Sequence, residues 1–351
     1  MFLRGIAAGR VHMKAFETES LNRMAKEISG FVDDIAAAIK VPTGIEKRYS
    51  RIFVFGMGAS SIAGRVYKDS TYYASGIPVV TLKPFALPDW VDEDCLLIVC
   101  SYSGNTFETV EMYKMARACG MNVVAVTRGG ILGSLAEADG SPIARIGGDS
   151  MQPRSAVGWF LGITGGIIED AGGPAFRAQI EEMIPRLRAY KEEIESEDGI
   201  AWEIARSLNG RFPVIYGTPD LMGAAVRWKN QLNENSKLVA FSGPLPEFDH
   251  NEIVGWCEDP QRKLFYPIII EGGYEDNLPK ILDATVGLVS SRGVDMVRIR
   301  AKGKTPLEES IYMIMLGDNN SLYLASISGV DPCDVRSINE LKRRLKEKFP
   351  S

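Results

Sequence analysis

The chain has 351 residues and 45% hydrophobic content, which is enough for about two domains with well-formed cores. Its net charge is −5 and its 40 basic residues are spread along the sequence, which excludes a nucleic-acid footprint and a nucleic-acid partner. No apolar run reaches the roughly 18 residues of a membrane span, and the N-terminus lacks a signal-peptide core. We therefore expect a cytoplasmic protein with no membrane partner.

Cysteine and histidine usage argues against a metal site. The five cysteines include no C-x-x-C pair and lie mostly in apolar segments, so we expect reduced core residues. The two histidines, His12 and His250, lack the spacing of a ligand cluster. The predicted chemistry uses no metal and no cofactor.

The first half of the chain alternates between strand and helix patterns. Helical periodicity over residues 14–40 predicts one or two opening helices. The apolar, β-rich segments that follow, separated by helical ones, predict a parallel sheet with helices on both faces. The predicted strands are Arg51–Phe55, Pro78–Leu82, Cys95–Cys100, Asn122–Thr127 and Pro142–Ile146.

Two loops in this half have the composition of phosphate sites. The loop 56–61 (Gly-Met-Gly-Ala-Ser-Ser) follows the first strand, and the loop 101–106 (Ser-Tyr-Ser-Gly-Asn-Thr) follows the third. Glycines let the backbone approach an anion, hydroxyls donate to it, and the helix that begins at each loop adds free N–H groups. The pattern predicts a phosphorylated small molecule as ligand, although each Ser or Thr also suits an ordinary turn or cap.

The first loop also matches part of a dinucleotide fingerprint. Gly56 and Gly58 have the required spacing, but Ser61 replaces the third glycine, and the segment Val79–Lys83 offers no acidic residue for a ribose. A compact phosphate monoester suits the second loop better than a pyrophosphate. A nicotinamide enzyme stays as a minor alternative.

The second half repeats the alternation after a helical region, Ser155–Leu208. Its predicted strands are Arg211–Tyr216, Leu264–Ile270 and Met296–Arg300, and Ser337–Phe349 is a closing helix. The predicted class is α/β, with two doubly wound parallel-sheet domains and flanking helices. We divide the chain into a helical segment (1–45), a first domain with the phosphate loops (46–195), a second domain (196–330) and a C-terminal helix (331–351).

Four motifs taken together resemble those of a known family. They are the two phosphate loops, Asn233–Lys237 (Asn-Glu-Asn-Ser-Lys) and Asp249–Glu252 (Asp-His-Asn-Glu), with Glu234 and His250 sixteen residues apart. Their order and spacing resemble the bifunctional phosphoglucose/phosphomannose isomerases, which are built from two sugar isomerase (SIS) domains. The resemblance covers about residue 45 to the C-terminus.

The resemblance implies a reaction and roles for four residues. The family interconverts aldose and ketose 6-phosphates, which needs a base that moves a proton between neighbouring carbons. Glu234 is the implied base, and Arg154 is the implied cation that stabilises the enediolate. His250 and Lys342 are implied for ring opening, with Arg343 as the alternative register. The family histidine can reach the partner subunit's site, which implies a homodimer.

The resemblance also assigns the phosphate of a sugar 6-phosphate to residues of both loops, namely Gly58, Ala59, Ser60, Ser101, Ser103 and Thr106. Ala59 and Ser61 stand where the family has further glycines, so the binding geometry is expected to shift slightly. Two other functions stay open. One is an isomerase for amino sugar phosphates, and the other is a non-catalytic protein that binds sugar phosphates.

Overall fold

The computed structural model describes residues 15–72, 76–196, 198–273 and 277–348, which form two parallel sheets flanked by helices. His12 lies outside the described residues. The strands are β1 (Arg51–Gly56), β2 (Val79–Thr81), β3 (Cys95–Ser101), β4 (Asn122–Thr127), β5 (Ile143–Arg145), β6 (Phe212–Gly217), β7 (Phe241–Pro244), β8 (Phe265–Glu271) and β9 (Val297–Arg300). The helices are α1 (Ala15–Ser29), α2 (Phe31–Ala38), α3 (Ile62–Thr71), α4 (Phe107–Ala118), α5 (Gly130–Ala138), α6 (Val157–Asp170), α7 (Phe176–Ile194), α8 (Ile200–Leu208), α9 (Met222–Glu234), α10 (Glu252–Glu258), α11 (Leu278–Ser291), α12 (Pro306–Ser328) and α13 (Arg336–Lys348).

The first sheet has the strand order β2-β1-β3-β4-β5, with every neighbouring pair parallel. All seven residues of β3 are buried, as expected for a parallel strand covered by helices on both faces. The order reverses between β1 and β3, so connections leave that point toward opposite sides of the sheet. The predicted doubly wound α/β architecture is confirmed.

The second sheet has the order β7-β6-β8-β9 and is also parallel throughout. The three strands predicted from sequence are all present, with ends shifted by one residue at most. The fourth strand, β7, was not predicted. It lies at the sheet edge and ends in Pro244, a residue that sheets accept at their edges because it cannot donate to a neighbouring strand.

Helix α12 has no counterpart among the predicted elements. Every residue from Leu307 to Ser326 is buried, and the helix packs against α1, α3, α7, α8 and α9. Its buried polar side chains have partners on neighbouring helices: Arg227 forms a two-bond ion pair with Asp318, and the Trp228 indole N–H donates to the Asn320 amide oxygen. Such pairing is what makes polar groups tolerable in a core.

A single hydrophobic core runs through both halves of the chain. Ile52 and Ile98 of the first sheet belong to the same buried cluster as Ile215 and Ile268 of the second. The opening helices join the same assembly, since α2 packs against α6, and α1 packs against α12. The boundaries at residues 45, 195 and 330 stay predictions, and the packing across them is extensive.

Two surface properties complete the description. None of the helices in the described ranges has both the length and the apolar composition that crossing a membrane requires. All five cysteines are unpaired; Cys95 and Cys100 are buried, whereas Cys119 is exposed. The expectation of a core position was therefore wrong for Cys119, which follows the last turn of α4.

Candidate active site

Both phosphate-type loops lie at the switch point of the first sheet. They follow β1 and β3, whose residues Gly56 and Cys100 are partners in the parallel register. Ligands of open α/β sheets bind outside the carboxyl ends of the strands at such a point. The fold therefore brings the two loops to the place where one phosphate could contact both.

The first loop depends on two glycines. A Cβ at Gly56 would lie 2.6 Å from the carbonyl oxygen of Ser60, so the chain can turn back over the strand only without a side chain there. Gly58 has a φ of 55°, in the left-handed region that favours glycine. Residues Gly58–Ser61 then form a 3-10 turn that leads directly into α3. Ala59 is accommodated within that turn.

The two serines of the first loop differ in what they bind. The Ser61 hydroxyl donates to the carbonyl oxygen of Gly58 at 2.8 Å, so it closes the turn. The Ser60 side chain makes no hydrogen bond to any residue in the described part of the chain, and the residue is 8% exposed. Ser60 is thus the hydroxyl of this loop that is available to a ligand.

The hydroxyls of the second loop mainly shape it. The buried Ser101 hydroxyl donates to the Thr106 oxygen and accepts from the Gly104 N–H, both at 3.2 Å. The exposed Ser103 oxygen accepts from the Asn105 N–H at 3.2 Å, which leaves its own proton free to donate. Helix α4 begins immediately after Thr106 and directs its free N–H groups toward the loop.

Arg154 is held from three sides in a short 3-10 turn that packs against the first loop. Its Nε donates to the Asn235 amide oxygen at 2.8 Å, its Nη2 to the Pro332 carbonyl at 2.5 Å, and its Nη1 to the Gln152 side-chain oxygen at 3.3 Å. Nη1 also lies 3.8 Å from Oε2 of Glu234. The predicted cation and the predicted base, 80 positions apart in the sequence, are therefore neighbours.

The electrostatics of this pair suit a proton transfer. The side chain of Arg154 is only 3% exposed, and burial lowers the pKa of its guanidinium while the charge of Glu234 raises it. An arginine stays charged under either influence. Glu234 ends α9, and its side chain is 28% exposed, so a ligand can reach the carboxylate. A reachable base beside a fixed buried cation can remove a proton and stabilise the resulting oxyanion.

A lysine adds a second positive charge close by. Lys237 follows the end of α9 with a φ of 56°, and its Nζ donates to the carbonyl oxygen of Glu234 at 2.5 Å. The same Nζ lies 3.4 Å from the Pro332 carbonyl, which already accepts from Arg154. Burial first, and then the charge of Arg154, lower the pKa of the Lys237 ammonium.

Sequence reasoning missed three members of this arrangement. Asn235 and Lys237 belong to the Asn-Glu-Asn-Ser-Lys motif but received no role. The one signal in the sequence that could have indicated a role for them is that both residues closely follow Glu234. Pro332 contributes only its backbone carbonyl, and no side-chain pattern can indicate that.

In the described part of the chain, neither His250 nor Lys342 forms a hydrogen bond or an ion pair with Arg154 or Glu234. His250 is exposed at the end of a 3-10 turn, and its imidazole forms no hydrogen bond with the described residues. Lys342 is exposed on α13; Arg343 and Arg344 both pair with Glu340, whereas Lys342 has no ion pair among the side chains described. Their catalytic roles stay predictions.

The switch point of the second sheet, between β6 and β8, is occupied by the chain's own groups. Thr218 donates to the Asp220 carboxylate at 2.6 Å and accepts from the Gly272 N–H at 3.0 Å. The Gly273 N–H donates to the Glu309 carboxylate at 3.1 Å. Of these two carboxylates, Glu309 accepts from a backbone N–H that would otherwise face an anion, and Asp220 accepts from the Thr218 hydroxyl. In the described ranges, no three His, Cys, Asp or Glu side chains gather as a metal site.

Comparisons with known proteins show what the chain is similar to. Residues 197–345 match the model of the bacterial phospho-glucose isomerase C-terminal SIS domain. A relative from Caldicellulosiruptor bescii, named bifunctional phosphoglucose/phosphomannose isomerase, is 34% identical over 85% of this chain and 90% of its own length. A relative from Sulfolobus acidocaldarius, named D-glucosamine-6-phosphate 4-epimerase, is 28% identical over 85% of this chain and 90% of its own length.

Among solved structures, the C-terminal domain of glucosamine-fructose-6-phosphate aminotransferase from Francisella tularensis aligns with a TM-score of 0.69. It is 15% identical and covers 88% of this chain and 97% of that one, so it supports the two-sheet fold alone. The family assignment comes from the closer curated relatives and the matched domain. The chain belongs to the family of bifunctional phosphoglucose/phosphomannose isomerases.

Proposed function

We propose that this protein interconverts glucose 6-phosphate and mannose 6-phosphate with fructose 6-phosphate, without a metal or cofactor. The observation that carries the proposal is the Arg154–Glu234 pair at 3.8 Å, beside loops suited to a phosphate. The match to relatives named for these two activities supports the choice of substrates.

In the proposed reaction, the phosphate sits at the first switch point on the Ser60 hydroxyl, the Ser103 hydroxyl and the free N–H groups of the loops. Glu234 removes the proton from C2 of the open-chain aldose and returns it to C1, while O1 gains a proton and the C2 hydroxyl loses one, which leaves the carbonyl at C2. The negative charge that develops on the enediolate oxygen faces the guanidinium of Arg154, which stays in place during the step and so needs no reorganisation.

Ring opening is assigned to His250 and Lys342. Both are exposed, and an exposed His250 is accessible to a second subunit, in keeping with the homodimer that the family resemblance implies. An imidazole suits this step because its ordinary pKa, about 6.5, allows it to give and take protons near neutral pH. The proposal includes a cytoplasmic location and no nucleic-acid or membrane partner.

One relative supports keeping amino sugar phosphates in the test. The Sulfolobus acidocaldarius protein is named for glucosamine 6-phosphate, and it aligns with most of this chain. A side-by-side assay with glucose, mannose and glucosamine 6-phosphates distinguishes the candidates. Turnover of the first two supports the proposal, turnover of glucosamine 6-phosphate alone supports the amino sugar enzyme, and binding without turnover indicates a sensor.

The base is tested with Glu234→Gln. We expect kcat to fall by about 10²- to 10⁴-fold with KM near the wild-type value, because the phosphate loops are intact while proton transfer is lost. Glu258→Gln is the matched control, since Glu258 also ends a helix but is exposed on α10. Wild-type turnover in Glu234→Gln would remove Glu234 as the base.

A further inference from the structure

Lys237 has a backbone conformation that a lysine rarely adopts. Among the described residues other than glycine, Lys237 and Phe85 alone have a positive φ. Lys237 follows the last turn of α9, where the Leu238 N–H returns to the Leu232 carbonyl at 3.2 Å. Glycine is the usual residue at this position because it has no Cβ to clash in the left-handed region. A lysine here keeps strain that a glycine would relieve.

The side chain of Lys237 links the two elements that carry the site. Its ammonium donates to the carbonyl of Glu234, the residue that bears the base, and reaches the Pro332 carbonyl. Arg154 donates to that same Pro332 oxygen, so two cations share one acceptor. The Lys237 side chain thus joins the end of α9 to the Pro332 segment, which also binds the guanidinium of Arg154.

Strain that persists beside reactive groups is a recognised sign of function, because the surrounding structure must stabilise it. Core packing does not explain the lysine at this position. Lys237 is exposed, so the hydrophobic core does not depend on its aliphatic side chain. The charges that act on its ammonium include Arg154, Asp331 and Asp334, all of which surround the Pro332 segment.

We propose that Lys237 is a positioning residue for the isomerisation: it fixes the Glu234 end of α9 against the Pro332 carbonyl and thereby keeps Arg154 facing the base. The inference rests on the proposed function. It assigns Lys237 a role in the orientation of the base and the cation, and no contact with the sugar.

The test separates stability from activity in the isomerase assay. Lys237→Gly removes the ammonium and relieves the left-handed strain, so we expect Tm to be unchanged or higher while kcat falls by about tenfold to a hundredfold, the size of effect that a small misplacement of reacting groups produces. KM should stay near the wild-type value because the phosphate loops are distant in the sequence and unaltered. Lys237→Asn, which also tolerates this φ, should behave in the same way, and Lys237→Arg should recover part of kcat.

Lys68→Asn is the matched control, since it removes an exposed positive charge from the last turn of α3 and should leave kcat unchanged. A wild-type kcat in Lys237→Gly would overturn the proposal. A loss of Tm in both Lys237→Gly and Lys237→Asn that parallels the loss of kcat would also overturn it, because the lysine would then be a simple helix cap. Absence of isomerisation by the wild-type protein would instead refute the proposed function.

Discussion

Ser60 and Ser61 are adjacent in the first phosphate loop, yet their hydroxyls have different uses. The Ser61 hydroxyl donates to the Gly58 carbonyl, whereas the Ser60 hydroxyl has no hydrogen-bond partner among the described residues. We expect Ser60→Ala to raise KM by about tenfold or more with little change in kcat, because a hydrogen bond to a charged group contributes about 1.5–3 kcal/mol. Steady-state kinetics with fructose 6-phosphate measure both constants.

Ser61→Ala is the matched control for that prediction and should leave KM near the wild-type value. A wild-type KM in both variants would contradict the prediction and would mean that the loop binds phosphate through its backbone N–H groups alone.

The residues of the site were predictable to the extent that their side chains carry chemistry. Glu234 and Arg154 were named from the family resemblance, and the fold places them side by side. Their supports were not predictable, because these depend on distant packing. The Asn235 amide, for example, also donates to the Ser321 hydroxyl at 2.9 Å, so the orientation of Arg154 depends on α12.

At the scale of elements, α12 places a carboxyl group in an unfavourable environment. Burial first, and then repulsion from Asp220, raise the pKa of Glu309 to about 7, against an ordinary 4.5. Between these values the native state holds a proton that the unfolded chain has lost, so the contribution of Glu309 to the free energy of unfolding falls as pH rises through the window. Below pH 4.5 both states are protonated, and the contribution is fully present.

Glu309→Gln removes this titration while keeping an acceptor for the Gly273 N–H. Relative to wild type, we expect the variant to gain up to about 3 kcal/mol in free energy of unfolding between pH 4.5 and pH 8, since each pKa unit corresponds to about 1.4 kcal/mol. Urea unfolding at both pH values measures the difference. A pH-independent difference would show that Glu309 titrates normally.

The helices and strands also differ in how clearly the sequence pattern predicts them. The strands of the two parallel sheets are buried on both faces, so they appear as continuous apolar runs between turn signals. Helix α12 is buried on every side and mixes apolar with paired polar residues, so it has no apolar stripe of helical period. The edge strand β7 was missed because it is four residues long and ends in proline.

At the scale of the whole molecule, two similar sheets share one core but differ at their switch points. The alternation of strand and helix predicted both sheets, and the two phosphate-type loops were predicted in the first half. The two switch points differ because of a contact between residues that are far apart in the sequence. Glu309 comes from α12, far along the chain, and no local pattern connects it to the N–H group of Gly273.

The carboxylates that fill the second switch point set the binding stoichiometry. An incoming anion would have to displace Asp220 from the Thr218 hydroxyl and Glu309 from the Gly273 N–H, and it would approach their negative charges, which is unfavourable in a region of low dielectric. Isothermal titration calorimetry with a phosphorylated sugar should therefore saturate at one molecule per polypeptide, despite the near-repetition of the fold. Binding of two molecules per polypeptide would mean that the ligand displaces Asp220 and Glu309, and that each of the two sheets carries a ligand site.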